Sequence, residues 1–549
     1  MRTVRWDKPS AWVEQTLAGL TVEEKVGQLL HPVLRLQETR ASIARIFAGI
    51  VPGGVSLASG TRAECLACTN AVQSLSPKVP VLCGTDLENG PGRILKDATQ
   101  FPDAMGLAAT GSAALAYAMG RSAAVEGRAC GVHWSFSPVV DINANPFNPI
   151  TNTRSLGDRP ALISRLAAQL IRGMQEHGLA ACAKHFPGDG FDDRDQHVCT
   201  TVNPLRLDDW VRLSGRMFQD AIDAGVWTIM IGHIALPAWD PGQGNAVEDA
   251  PPATLSRRLL TDLLRNRMGF QGLIVTDALN MGGVVSRADR KDLILGTLEA
   301  GSDLLLFAEM ERDYAILMQA LKSGRLTLER VETSVRRILR VKELLGLHQD
   351  ARPRKVSAAA LAQSGRAARK TAEQCLTLVA NRGRVLPLKL ARGSKVFSLH
   401  VLGDPEYNVN GLDDLLRRRG LKVTTATAHG EFNALPKEAE LRRYDAVLVH
   451  YVWGPTWGTV RIRPNGNCMR NLWVLYGHRL PRVVSISYGT PYLLYEFPHM
   501  PALLNAYSPD PTTQAAVVRF LMGEIPAPGR SPVDVRAPWR NARTWAGAL

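Results

Sequence analysis

A lysine, two histidines and four aspartates fall within fourteen positions of this 549-residue chain: Lys184, His185, Asp189, Asp192, Asp193, Asp195 and His197. They directly follow a short apolar run, Leu179 to Ala183. A strand ending in titratable groups is where an α/β enzyme keeps its chemistry. Other apolar runs end the same way. Thr85-Asp86-Leu87-Glu88, Asp141-Ile142-Asn143, His233 and Thr276-Asp277-Ala278 each close one, and Arg154 stands in the loop after the run ending at Asp141. Gathered on one rim, these carboxylates, imidazoles, amine and guanidinium suit a hydrogen-bonding sugar pocket. No Cys/His grouping has metal spacing, so the expected site holds no metal and no cofactor.

Cleaving a glycosidic bond takes a nucleophile or base on one side and a proton donor on the other. Asp277 ends a buried strand, is held rigidly and is the nucleophile candidate. His197 is the donor candidate, because an imidazole titrates near neutral pH. Asp195, two residues away, can orient it and stabilise the imidazolium. The pair lies on a polar loop, Gly188 to Thr200, suited to moving over a substrate. Each residue also has a plainer reading. A strand-end aspartate can be a helix N-cap, and an Asp-x-His can be a solvated surface pair. Lys184 can pair with a neighbouring carboxylate, and Asp86 with Arg154. Their convergence on one rim favours chemistry.

Short β-like runs and helical runs alternate up to about residue 350 and carry these residues. Eight β-like runs, Val26–Leu30, Gly49–Leu57, Val79–Gly84, Val132–Asp141, Ala180–His185, Trp227–His233, Gly272–Asp277 and Ser302–Phe307, are separated by amphipathic helical runs. Thr21–Leu30 also reads as a helix, so the first strand can start just after it. Continuous apolar strands separated by helices indicate a parallel sheet covered on both faces. Eight such units predict an N-terminal (β/α)8 barrel over 1–350. One connecting helix is expected after Ser256, with Leu259, Leu260, Leu263 and Leu264 on one face and Gly269 as its stop. The last barrel helix is expected over Leu328–Leu345. Residues 351–375 read as a linker and an Ala-rich helix. Residues 376–549 read as a smaller α/β domain, with strands Val396–Leu402, Leu421–Thr425, Ala446–Tyr451 and Val483–Tyr488. No G-x-G-x-x-G follows any of them, so no dinucleotide site is expected.

The net charge of +14 comes from scattered Arg and Lys without interleaved aromatics, which argues for a basic enzyme over a nucleic-acid binder. No apolar run is long enough to span a bilayer, and the N-terminal residues lack the pattern of a secretory signal. The expectation is a cytoplasmic monomer or homodimer acting on a small carbohydrate, with no nucleic acid or membrane partner. Of eight cysteines, only Cys65 and Cys68 form a CxxC, and they read as packing thiols.

Several segments together resemble glycoside hydrolase family 3, in its β-N-acetylglucosaminidase branch. They are Thr21-Val-Glu-Glu-Lys-Val-Gly-Gln-Leu, Ser137-Pro-Val-Val-Asp-Ile-Asn, Arg154-Ser-Leu-Gly, Lys184-His-Phe-Pro-Gly, Asp195-x-His197, Gly232-His-Ile-Ala-Leu-Pro, Thr276-Asp-Ala-Leu-Asn-Met, Arg337 to Leu347 and Gly489 to Ser508. The resemblance implies a barrel followed by an α/β sandwich and a retaining, two-step hydrolysis of terminal β-linked N-acetylglucosamine. Asp277 would form the glycosyl-enzyme, and His197, oriented by Asp195, would act as acid and base. Asp86, Arg154, Lys184 and His185 would bind the sugar hydroxyls. The branch usually has His where Asp189 stands, and Glu88-Asn-Gly-Pro-Gly-Arg93 is longer than its usual Glu-Gly-Gly-Arg. Competing readings are a phosphorylase or transglycosylase, a Schiff-base enzyme using Lys184, and a catalytically silent sugar-binding protein.

Overall fold

The computed structural model describes residues 4–6, 8, 10–244, 246–403, 408–428, 436, 438–455, 458, 480 and 482–536. They divide into two compact units, the first made of 1–99, 116–142 and 164–364. Its strands are β1 (Leu30–His31, continued by Val33–Leu34), β2 (Gly54–Leu57), β3 (Leu82–Thr85), β4 (Trp134–Ser135), β5 (Cys182–Phe186), β6 (Thr228–Ile231), β7 (Leu273–Thr276) and β8 (Leu305–Leu306). Each pairs in parallel with the next, through ladders or through the single bridges Trp134–Ala180, Val139–Lys184 and Val275–Leu304. β1 pairs with β8 and closes the ring. This is the (β/α)8 barrel expected from the sequence.

The strand interiors are fully buried, which is why they read as unbroken apolar runs. Leu30, Leu82, Trp134, Cys182, Met230, Leu273 and Leu305 share one core. The expected strand at Val26–Leu30 is corrected: Val22–Gly27 is a helix, and β1 begins at Leu30. A reciprocal capping box explains this. Thr21 Oγ1 accepts from Glu24 N at 3.2 Å, and Thr21 N donates to Glu24 Oε2 at 2.9 Å. The helix after Ser256 forms over Arg258–Arg267 with its four leucines buried, but it is wound as a π-helix. Ser256 Oγ accepts from Leu259 N at 3.1 Å, as a cap should. The last barrel helix runs Leu328–Leu344. Among the described residues, no helix is long and apolar enough to cross a membrane.

A fully buried carboxylate just before β8 ties β7 to the helices outside it. Asp303 Oδ2 accepts from Arg265 Nη2 at 2.6 Å and from Ile274 N at 3.0 Å. Its Oδ1 accepts from Arg337 Nη1 and Ser334 Oγ, both at 2.8 Å. Burial would raise its pKa, but Arg337, Arg265 and Arg330 outweigh that and hold it below the ordinary aspartate value.

The second unit comprises 100–115, 143–163 and 365–549. Two of these segments lie within the stretch assigned from sequence to the barrel domain. The long helix Ala358–Cys375 leads into a six-stranded sheet. Its strands are β9 (Thr377–Asn381), β10 (Lys395–Leu402), β11 (Lys422–Ala428), β12 (Ala446–Val452), β13 (Val483–Ser487) and β14 (Ala502–Asn505), in the order β9-β14-β13-β12-β10-β11. Only β9 runs antiparallel to its neighbour. Alternate residues face opposite cores. Phe397, Leu399 and Val401 join Val447, Val449 and Tyr451 on one face, while Val396, Leu448 and Val452 meet Leu412, Leu416, Val517 and Leu521 on the other. The unit is therefore an α/β sandwich. β9 and β14 are additions to the four strands read from the sequence.

Removing the Asp303 carboxylate leaves the buried Arg265 and the partly exposed Arg330 and Arg337 uncompensated. Asp303→Ala is expected to cost about 3–5 kcal/mol of barrel stability, measured by denaturant unfolding of the full chain.

Candidate active site

The carboxyl ends of β3, β5, β6 and β7 bring the titratable groups together, and one carboxylate organises the centre. Asp141, 1 % exposed, accepts the backbone N–H of His185 through both oxygens, at 3.0 and 3.1 Å. It also accepts Asp189 N at 2.8 Å, and its Oδ2 lies 2.7 Å from His185 Nδ1. A carboxylate on Nδ1 fixes the ring's tautomer and orientation. The other ring nitrogen, Nε2, then faces Asp277 Oδ2 at 4.0 Å. Asp277 lies one residue beyond β7 and donates its N–H to Ile231 O of β6 at 2.8 Å. The next helix starts only at Gly282, with Met281 at its N-cap position, so Asp277 is not that helix's cap.

Burial would raise the pKa of Asp277, but His185, His233, His197 and Lys184 outweigh it and hold the carboxyl below its ordinary value. Asp277 is thus an anion at neutral pH, which fits the nucleophile role expected of it. His233 closes the far side. Burial keeps its pKa below the ordinary histidine value, with Asp277 acting in the opposite sense. The neutral ring lies 3.0 Å from Ala278 O through Nε2 and 2.7 Å from Thr254 Oγ1 through Nδ1. Donation from Nε2 to the carbonyl leaves Nδ1 to accept the threonine hydroxyl.

On β5, Lys184 Nζ lies 2.6 Å from Asp86 Oδ1 and 2.8 Å from Glu88 Oε1. Lys184 and Glu88 are buried, whereas the Asp86 side chain is 38 % exposed. An amine held by two carboxylates is not the lone desolvated amine that Schiff-base chemistry needs.

The predicted dyad is present. Asp195 Oδ1 accepts the backbone N–H of His197 at 2.8 Å and lies 2.7 Å from its Nδ1. Asp195 is buried and a quarter of the His197 side chain is exposed. The loop carrying them is tied to the segment that follows Asp277. Gly282 N donates to His197 O at 2.8 Å, Gly283 N to Gln196 O at 3.1 Å, and Thr200 Oγ1 to Gly283 O at 2.7 Å. The two glycines allow this approach. A Cβ on Gly282 would lie 2.2 Å from Val198 O, and one on Gly283 would lie 2.5 Å from Gln196 O. Asp189 also serves the loop. Its Oδ2 accepts from Gln196 Nε2 at 3.3 Å, and Gln196 Oε1 accepts His233 N at 2.8 Å.

Six of the seven residues predicted from sequence therefore stand in the first unit on this cluster or its loop. Arg154 belongs to the second unit, on the turn Asn152–Arg154, where its Nη1 donates to Ile150 O at 3.2 Å. Asp141 and Glu88 were visible on the expected rim but had no assigned role. Gln196, Gly282 and Gly283 were missed: the glycines act through close backbone approach, and the Gln196 side chain through partners distant in sequence.

Residues 21–341 match the glycosyl hydrolase family 3 N terminal domain. The chain belongs to glycosyl hydrolase family 3. A β-N-acetylglucosaminidase/β-glucosidase from Cellulomonas fimi is 35 % identical over 96 % of both chains. Among solved structures, the β-glucoside phosphorylase BglX bound to 2FGlc superposes with a TM-score of 0.85 at 30 % identity, covering 95 % of this chain and 96 % of that one. A family 3 β-N-acetylglucosaminidase from Paenibacillus sp. str. FPU-7 gives 0.80 at 26 % identity, over 94 % and 99 % of the two chains.

Two outcomes follow for this family 3 glycosidase. Gly283→Ala must push the Gln196 backbone away, and a displacement near 1 Å is expected to lower kcat by about 10²-fold with the thermal midpoint little changed. Because Asp277 is held below the usual carboxylate range, the acidic limb of kcat/KM should fall below pH ~3.9, measured as far as the fold survives.

Proposed function

We propose that this protein removes terminal β-linked N-acetylglucosamine by a retaining, two-step mechanism. Asp277 attacks the anomeric carbon and forms the glycosyl-enzyme. His197 protonates the departing oxygen and then activates the incoming acceptor, while Asp195 carries the charge that balances the imidazolium. The observation that carries this reading is the Asp195–His197 dyad, 2.7 Å between oxygen and Nδ1, on a loop hydrogen-bonded to the segment just after Asp277. The resemblance assigns a loop histidine to the acid/base role in the N-acetylglucosaminidase branch, and the names of the relatives agree with that substrate class. Asp86, Lys184 and His185 are assigned to the sugar hydroxyls, supported by their convergence around Asp277. Arg154 is assigned with them on its motif alone.

The seven cysteines that are described are free thiols, which suits a reducing compartment, so a cytoplasmic role on recycled wall fragments is proposed. The CxxC pair is buried in the helix Arg62–Ser74, and burial pushes the Cys68 thiol up to about 11, which supports a packing role.

A second reading is phosphorolysis. The solved β-glucoside phosphorylase covers nearly the whole chain. An imidazole acid/base also avoids placing a second anion beside an incoming phosphate.

Release of an aryl alcohol from an aryl N-acetyl-β-glucosaminide tests the first reading. Asp277→Ala should abolish turnover, and His197→Ala should lose ~10²–10⁴-fold on substrates with poor leaving groups. Wild-type rates in both variants would refute the assignment. Adding phosphate and assaying for a sugar 1-phosphate separates phosphorolysis from hydrolysis.

A further inference from the structure

The second unit holds a cluster that the barrel chemistry does not use. His400 on β10 and His450 on β12 are direct partners in the parallel ladder, so their side chains project from the same face of the sheet. Asp413 belongs to the helix Asn410–Arg418, whose Leu412 and Leu416 pack on that face. All three residues are buried, and a nitrogen from each ring and a carboxylate oxygen lie within 4.8 Å of one another.

We propose that His400, Asp413 and His450 form a binding site for a divalent metal ion of borderline character, with Zn²⁺ the best fit. Two imidazoles and one carboxylate are the donor types such an ion takes. His400 Nε2 and Asp413 Oδ2 stand 3.1 Å apart. Ligands roughly 2 Å from a tetrahedral ion are separated by about 3.3 Å, so this edge needs little adjustment.

Hydrogen bonding within the protein leaves each ring incomplete. His400 Nδ1 and His450 Nε2 are buried without a hydrogen-bond partner. A buried polar atom left unmet destabilises the fold, and coordination through His450 Nε2 would remove one such cost. Tyr488 OH lies 3.3 Å from His450 Nδ1, the arrangement by which an outer partner orients a ligating imidazole. The carboxylate is oriented as well. Ser398 Oγ donates to Asp413 Oδ1 at 2.7 Å and Thr425 Oγ1 to Oδ2 at 2.6 Å. Coordination replaces the hydrogen between His400 Nε2 and Asp413 Oδ2: the ring stays neutral with its hydrogen on Nδ1, any excess proton passes to solvent, and each donor atom gives a lone pair to the ion. Ser398 Oγ, 3.1 Å from His400 Nε2, or a water can supply a fourth ligand. The ion would pin two central strands to the helix above them. Because the cluster is buried, it would be taken up during folding.

The test is metal analysis of the untagged full chain, purified without chelator and dialysed. Zinc near one equivalent per chain is expected, retained in His185→Gln of the barrel cluster and lost in His450→Gln. Refolding the wild-type chain with Co²⁺ should give the visible d–d absorption of a tetrahedral site. This reading decides the matter even if His450→Gln does not fold. A metal-free wild-type chain that gives no Co²⁺ bands on refolding would overturn the proposal and leave a hydrogen-bonded polar trio. Zinc lost in His185→Gln but kept in His450→Gln would place the metal in the barrel and equally overturn it.

Discussion

The arrangement of the barrel site depends on Asp141. A carboxylate buried in the segment that follows β4 must spend its lone pairs on strong donors or destabilise the fold. It takes the main-chain N–H groups of His185 and Asp189 and the ring of His185. With those bonds made, the end of β5 and the start of its loop are held against the segment that follows β4. His185 then has a single productive orientation, with Nε2 toward Asp277. Lys184, one residue earlier, is held between Asp86 and Glu88 from β3's loop. These groups share one electrostatic frame, and His185, then His233 and His197, with Lys184 adding least, hold the Asp277 carboxyl low against its burial.

Much of this could be read from the residues because buried parallel strands announce themselves as apolar runs. β5, β6 and β7 are found close to their expected bounds. β4 is shorter than the expected Val132–Asp141, since the ladder proper stops at Ser135, shortly before Pro138, which has no N–H to offer. β1 was obscured by a capped helix with its own apolar stripe. The unit boundary was less legible. Residues 100–115 and 143–163 belong with the second unit through contacts distant in sequence, which local periodicity does not encode. The same limit explains why His400, Asp413 and His450 show no metal spacing as a string: strand register and a helix turn bring them together.

The site residues divide along a similar line. Those whose proposed role lies in a side chain, such as Asp277 and His197, stand out by type and position. Those that act through the backbone do not. Gly282 and Gly283 matter because two main chains approach too closely for any Cβ. Asp189, set apart as a departure from the family pattern, has a defined task in this chain: with Gln196 it links the loop to His233 N. An acidic residue here is compatible with an ordered loop.

One oxygen of Asp195 receives both the main-chain N–H and the ring nitrogen of His197. Imidazole and counter-ion are therefore a single rigid cassette, tethered two residues apart. If the segment swings away to admit a ligand, both travel together. The ring keeps its partner and its tilt throughout, so the geometry that the proposed proton transfer needs is not rebuilt at every cycle and only the gap to Asp277 changes.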